Sequence, residues 1–163
     1  MKKILSALLF LLCLAACSRR GEVYREDVEV ERVRNEVDSL LYHTDSLVSY
    51  DPDDVHFYLE LPKEYCMDCI VRAQTSALSI DEYGIFHCKN EQDAEKLEEM
   101  IEGYLERSLE GKREWLQSYN PGELQKLEKS RAERFGSYVF YGILDPSTER
   151  LAIQRVQSLL ADD

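Results

Sequence analysis

Between Asn90 and Tyr119 no proline interrupts the chain, and apolar side chains recur at steps of three and four: Leu97, Met100, Ile101, Tyr104, Leu105, Leu109, Trp115, Leu116 and Tyr119. This spacing predicts one long amphipathic helix whose stripe must be buried against another surface. Asn90 supplies its cap, and Glu91 and Asp93 sit in the first turn, where the helix dipole favours negative charge. Gly103 and Gly111 each weaken such a helix by about 1 kcal/mol relative to alanine, which predicts a kink or a close approach there. The covering surface is read from two pairs of strand-like runs. Residues 69–78 and 83–89 turn at Ile80-Asp81-Glu82, and residues 131–135 and 137–144 turn at Gly136. Strands adjacent in sequence predict antiparallel pairing.

Shorter helices complete the pattern. Apolar residues at Val30, Val33, Val37, Leu40, Leu41, Leu47 and Val48 predict an amphipathic helix over residues 26–48. Asp51-Pro52-Asp53-Asp54 reads as a solvated turn that ends it, and it lacks the alternate ligand spacing and turn glycine of a calcium loop. Asn120-Pro121-Gly122-Glu123 reads as a capped helix start with a capping box, that helix ending near Ser130. Asp145-Pro146 starts a last helix with Leu151, Ala152, Val156, Leu159 and Leu160 facing inward. The expected fold class is α+β: a small antiparallel sheet of about four strands, covered on one face by the long amphipathic helix and the shorter ones.

The amino-terminal residues carry an address. Lys2 and Lys3 precede an apolar run over residues 4–14, too short to span a bilayer as a helix, and Leu14-Ala15-Ala16-Cys17 has the form of a lipobox. Residues 1–16 are expected to be a lipoprotein signal peptide. Residues 17–25 are expected to be the lipidated Cys17 and a tether, and residues 26–163 one α+β domain. Acyl chains on Cys17 contribute about 0.8 kcal/mol per buried methylene, and two chains suffice for stable anchoring at the extracytoplasmic face of the cell membrane. The net charge is −12, and loss of Lys2 and Lys3 makes it more negative by two units. Such an excess argues against nucleic acid and against lying flat on an anionic membrane. It suits a basic peptide, a cation or an envelope protein as partner.

Cys66-Met67-Asp68-Cys69 with His87-Cys88 is the constellation that can do chemistry. A Cys-x-x-Cys turn supplies two thiolates for zinc, and Cys88 or His87 a third ligand. Adjacent strand residues face opposite sides, so His87 and Cys88 do not easily both join. The same residues also fit a Cys66–Cys69 redox pair, a disulfide from Cys88 to either, or three small apolar core residues. No nucleophile elbow, His-Glu-x-x-His or glycine-rich phosphate loop places His43 or His56 as a catalytic base, and Glu95, Glu98, Glu99 and Glu102 read as a solvated helix face. No catalytic residue and no cofactor is expected beyond that zinc option.

Four pieces carry a likeness over residues 61–160: Ile80-Asp81-Glu82-Tyr83-Gly84-Ile85-Phe86, the charged helix from Asp93 to Trp115, Tyr119-Asn120-Pro121-Gly122-Glu123-Leu124, and Phe135-Gly136-Ser137-Tyr138-Val139-Phe140. In order and spacing they resemble the bacterial lipoprotein family labelled domain of unknown function 4358. The resemblance brings no established reaction and no catalytic residues, and Cys66, Cys69, His87 and Cys88 are not part of its pattern. The expected function is that of a membrane-anchored lipoprotein acting as a non-catalytic binding or envelope-interaction module. The alternative is a zinc or thiol-redox protein using Cys66, Cys69 and Cys88 or His87.

Overall fold

Five strands form one wholly antiparallel sheet, built around two hairpins. The computed structural model describes residues 23–76 and 79–162. In chain order these hold helix α1 (Val30–Asp38), strand β1 (Leu47–Ser49), helix α2 (Pro52–Leu59), strands β2 (Cys66–Gln74) and β3 (Glu82–Cys88), helices α3 (Glu91–Tyr119) and α4 (Pro121–Lys129), strands β4 (Ala132–Phe135) and β5 (Tyr138–Ile143), and helix α5 (Pro146–Leu160). The sheet order is β1-β2-β3-β5-β4. The expected end of the second strand run, at Ala77 and Leu78, lies outside the described residues.

Strand alternation sends side chains to both faces, and both are covered. From β3, Phe86 and Cys88 join Cys69 and Val71 of β2 and Val139, Tyr141 and Ile143 of β5 under α2, α3 and α4. Tyr83 and Ile85, with Tyr138 and Phe140, face the other way, onto Val33 and Val37 of α1 and Ala152 and Val156 of α5. The helices thus form two layers, correcting the expected single covered face. The reason is legible in β5, Tyr138-Val139-Phe140-Tyr141-Gly142-Ile143, which is buried throughout. A strand with no polar face requires cover on both sides.

The amino-terminal helix is shorter than the pattern predicted. It ends at Asp38, and Leu47 and Val48 lie in β1 instead. Arg72 of β2 explains the change: its guanidinium donates to Asp38 Oδ2 at 2.5 Å and to the carbonyls of Thr44 and Leu47 at 3.0 and 2.7 Å. Tyr83 Oη also donates to Asp38, at 2.7 Å. These bonds hold residues 44–47 beside β2, where β1 can pair. Asp51-Pro52 caps α2 rather than ending a helix, for the Asp51 carboxylate accepts from the Asp53 N–H at 2.9 Å with Pro52 in the first turn. Asn90 and Asp145 cap α3 and α5 in the same way, as expected.

Helix α3 runs unbroken through Gly103 and Gly111, and a Cβ at Gly111 would meet nothing within 4 Å. Its last turns outrun the core, leaving Trp115 50% and Tyr119 77% exposed, contrary to the expected apolar stripe; Leu151 of α5, expected inside, is 49% exposed. The expected capping box of α4 is not formed. Asn120 makes no side-chain cap bond there, and the Glu123 carboxylate instead accepts the Ile80 N–H at 2.8 Å. The β4–β5 hairpin turns at Gly136, whose φ of +61° falls in the left-handed region that glycine adopts freely. Tyr24, within the expected tether, makes a bridge to Ala161 and lays its ring edge-on to Phe135.

Candidate functional site

The β2–β3 hairpin brings the three described cysteines together. Cys66 pairs with Cys88 in register, and Cys69 with Phe86 one step along the same face. In a regular strand Cys66 and Cys69 would face opposite sides, but the register slips between Cys66 and Asp68, and this bulge returns both to the α3 face. The Cys88 N–H donates to Ser137 O at 2.8 Å, toward β5. On the β2 side, Cys66 and Cys88 are therefore a non-hydrogen-bonded pair, the kind whose side chains lie closest. Cys69 and Cys88 are buried and Cys66 is partly exposed; all three are free thiols.

Their protons are unevenly held. The Cys66 thiol donates to Asp68 O at 2.9 Å and hydrogen-bonds Cys69; this bond to Cys69, then burial, raises it, while the same bond lowers Cys69. Burial, with Asp93 nearby, pushes the Cys88 thiol up to about 12. His87 occupies the opposite face, stacked flat on Tyr138 at 4.2 Å between ring centroids, and burial lowers its pKa. It does not join the thiols. Among the described residues, no three His, Cys, Asp or Glu side chains are grouped to hold a metal ion. Cys17, the expected lipidation site, lies outside the described residues.

A second cluster centres on Glu82, which the sequence pattern places in a turn. Glu82 opens β3 and is only 4% exposed. Its Oε1 accepts from Tyr141 Oη at 2.6 Å and Tyr104 Oη at 2.8 Å, and its Oε2 from Tyr58 Oη at 3.3 Å. Tyr50 stacks on Tyr58. Burial raises the Glu82 carboxyl although the Tyr141 and Tyr104 hydroxyls oppose it, and the Tyr58 phenol is pushed up to about 12, by burial first and then by Glu82. Buried at Glu82, Tyr104 and Tyr141 and reaching the surface at Tyr58, the cluster ties α2, α3 and β5 to β3. Its role is architectural.

An open concavity lies beyond the β2–β3 turn. A cleft of about 160 Å³ is lined by Leu40, Leu41, Leu47 and Leu144, with Tyr42, His43, Gln74, Asp81, Lys126, Asp145 and Thr148. Lys126 bonds Asp81 at 2.6 Å and Glu123 at 2.7 Å; burial works against its charge, and these two carboxylates outweigh it and raise its pKa. His56, the other histidine considered, is on α2. Of the expected solvated carboxylates, Glu98 pairs with Arg134 and Glu102 accepts the Ala132 N–H. Both therefore clamp β4 to α3.

The family described as Domain of unknown function (DUF4358) matches residues 43–144. The chain belongs to this family. The DUF4358 match starts earlier than the expected resemblance and stops before α5. It holds all five strands and the α2–α3–α4 layer, along with the cysteines, the Glu82 cluster and most of the cleft lining. Helices α1 and α5, which cover the second face, lie outside the DUF4358 match. No curated protein and no solved structure matches the chain.

Proposed function

We propose that this chain is a lipid-anchored extracytoplasmic binding domain, tethered through acyl chains on Cys17 and presenting an acidic surface to a cationic partner such as a basic peptide or an envelope protein. Leu14-Ala15-Ala16-Cys17, behind Lys2, Lys3 and a short apolar run, carries this reading. No helix among the described residues is long and apolar enough to cross a membrane. The cleft supports the binding role, since Asp81, Asp145 and the paired Lys126 stand beside four leucines, a mixture suited to a basic, partly apolar ligand. In bacteria fed an alkyne fatty acid, the full-length chain is expected to take up the label and to leave membranes with detergent but not with salt. Cys17→Ala is expected to lose the label. An unlabelled wild type, or a labelled Cys17→Ala, would falsify the anchoring.

The register of Cys66 favours a second, thiol-redox reading, because Cys66 stands beside both Cys69 and Cys88. Glutathione disulfide would accept two electrons, releasing two glutathione thiols as two cysteine thiols lose their protons and form one S–S bond. Disulfide mapping after such oxidation is expected to find Cys66 in the bridge and one buried thiol left over. Cys66→Ser is expected to keep both remaining thiols reduced under the same conditions. A Cys69–Cys88 bridge formed as readily in that variant would remove Cys66 from its central place.

A further inference from the structure

In a chain of net charge −12, one groove gathers cations instead. Its volume is about 290 Å³, and Lys129, Arg131, Pro146, Glu149 and Arg150 line it. It lies where the end of α4, the approach to β4 and the first turn of α5 meet. Arg131 pairs with Glu133, while Lys129 and Arg150 have no ion-pair partner among the described residues. Between these cations lies a carboxylate that the fold satisfies only in part, through the Arg131 backbone N–H. Glu149 is 3% exposed, its Cγ stands 3.6 Å from where a side chain on Gly142 would begin, and its buried Oε1 has no hydrogen-bond donor among the described residues. A buried acceptor left unpaired costs about 1–3 kcal/mol, so such a group in a folded protein calls for an explanation.

The geometry points to a site for hydrogen phosphate, an oxyanion whose P–OH donates to Glu149 while its other oxygens accept from Lys129, Arg131 and Arg150. Cations alone would accept any oxyanion; the buried carboxylate adds selection. Hydrogen phosphate brings the proton that Glu149 lacks, whereas sulfate brings a lone pair against a negative oxygen. The charged groups acting on Glu149 are Arg131, Glu133 and Glu102; burial is the main influence and raises its pKa to about 7. Glu102 and Glu133 are otherwise engaged, by the Ala132 N–H and by Arg131.

The test is calorimetric titration of the full-length chain in detergent, in a chloride background at about pH 8, where Glu149 and sulfate are unprotonated and hydrogen phosphate keeps one proton. Phosphate is expected to bind at least about tenfold more tightly than sulfate, the worth of one charge-assisted hydrogen bond. The exposed double variant Lys129→Ala/Arg150→Ala is expected to weaken phosphate by about tenfold or more with an unchanged melting temperature. Glu149→Gln is expected to close the gap between phosphate and sulfate, because an amide donates to either. Glycerol phosphate, a monoester whose second pKa of about 6 leaves it no P–OH at this pH, is expected to bind no more tightly than sulfate. Equal affinities for phosphate and sulfate, no phosphate binding at millimolar concentration, or an undiminished double variant would overturn the proposal.

Discussion

Replacing Glu82 with alanine is expected to cost the fold about 4 kcal/mol, a large part of the ~5–15 kcal/mol that stabilises a typical domain. The substitution leaves the hydroxyls of Tyr104 and Tyr141 buried without their acceptor, deprives Tyr58 of its partner at 3.3 Å, and opens a cavity at the junction of α2, α3 and β5. Glu82→Gln keeps an oxygen for the two short bonds and is expected to stay near wild type at neutral pH. The pair separates loss of the acceptor from loss of charge. Charge enters through linkage. Burial raises the folded-state pKa of Glu82 above its ordinary 4.5, so the native state binds a proton more readily than the unfolded chain. The stability this group contributes is present at acid pH and lost as pH rises from its ordinary value through its folded value. Urea unfolding across that range is expected to show wild type losing stability relative to Glu82→Gln as pH increases. Parallel curves for the two proteins would mean that Glu82 stays ionised in the native state.

Gly84→Ala is expected to be nearly as damaging, at about 3 kcal/mol or more. A Cβ there would lie 2.2 Å from Tyr141 Cε1 and 3.0 Å from Phe86 Cε2. Both rings are fully buried, and Tyr141 is held by its 2.6 Å bond to Glu82, so it cannot swing away without breaking the cluster. Gly84 and Tyr141 face each other across β3 and β5, the bare backbone of one admitting the ring of the other. Combining Gly84→Ala with Tyr141→Leu should therefore cost less than the sum of the two single changes, as residues sharing one space are not additive. A Gly84→Ala protein that melts with the wild type would show that the ring has room to move.

Much of the fold was legible because its signals are local. Asn90 and Asp145 cap helices with side chains that bond an N–H two or three residues away, and Gly136 turns its hairpin in place. The Asp-Pro signal read correctly at Asp145 was present at Asp51 too, where three aspartates around one proline passed for a solvated turn. The candidate site was legible in part. Strand alternation separates His87 from Cys88, but the bulge that puts Cys66 and Cys69 on one face leaves no mark in the spacing. The residues around Glu82 show the limit most clearly. Its three phenols stand 24, 22 and 59 positions away in sequence, and nothing beside Glu82 distinguishes it from the exposed glutamates of α3.

The sequence by itself determined the α+β class, the long helix, the two hairpins and the acidic balance, since helix caps, strand alternation and turn glycines act over a few residues. Only the tertiary structure decided that both sheet faces are covered, that Arg72 draws residues 44–47 to the sheet edge, and that Glu82 and Glu149 are buried. Burial is set by what other segments bring to a residue, and the free energy of an ionisable group depends on that surrounding far more than on its neighbours in the chain.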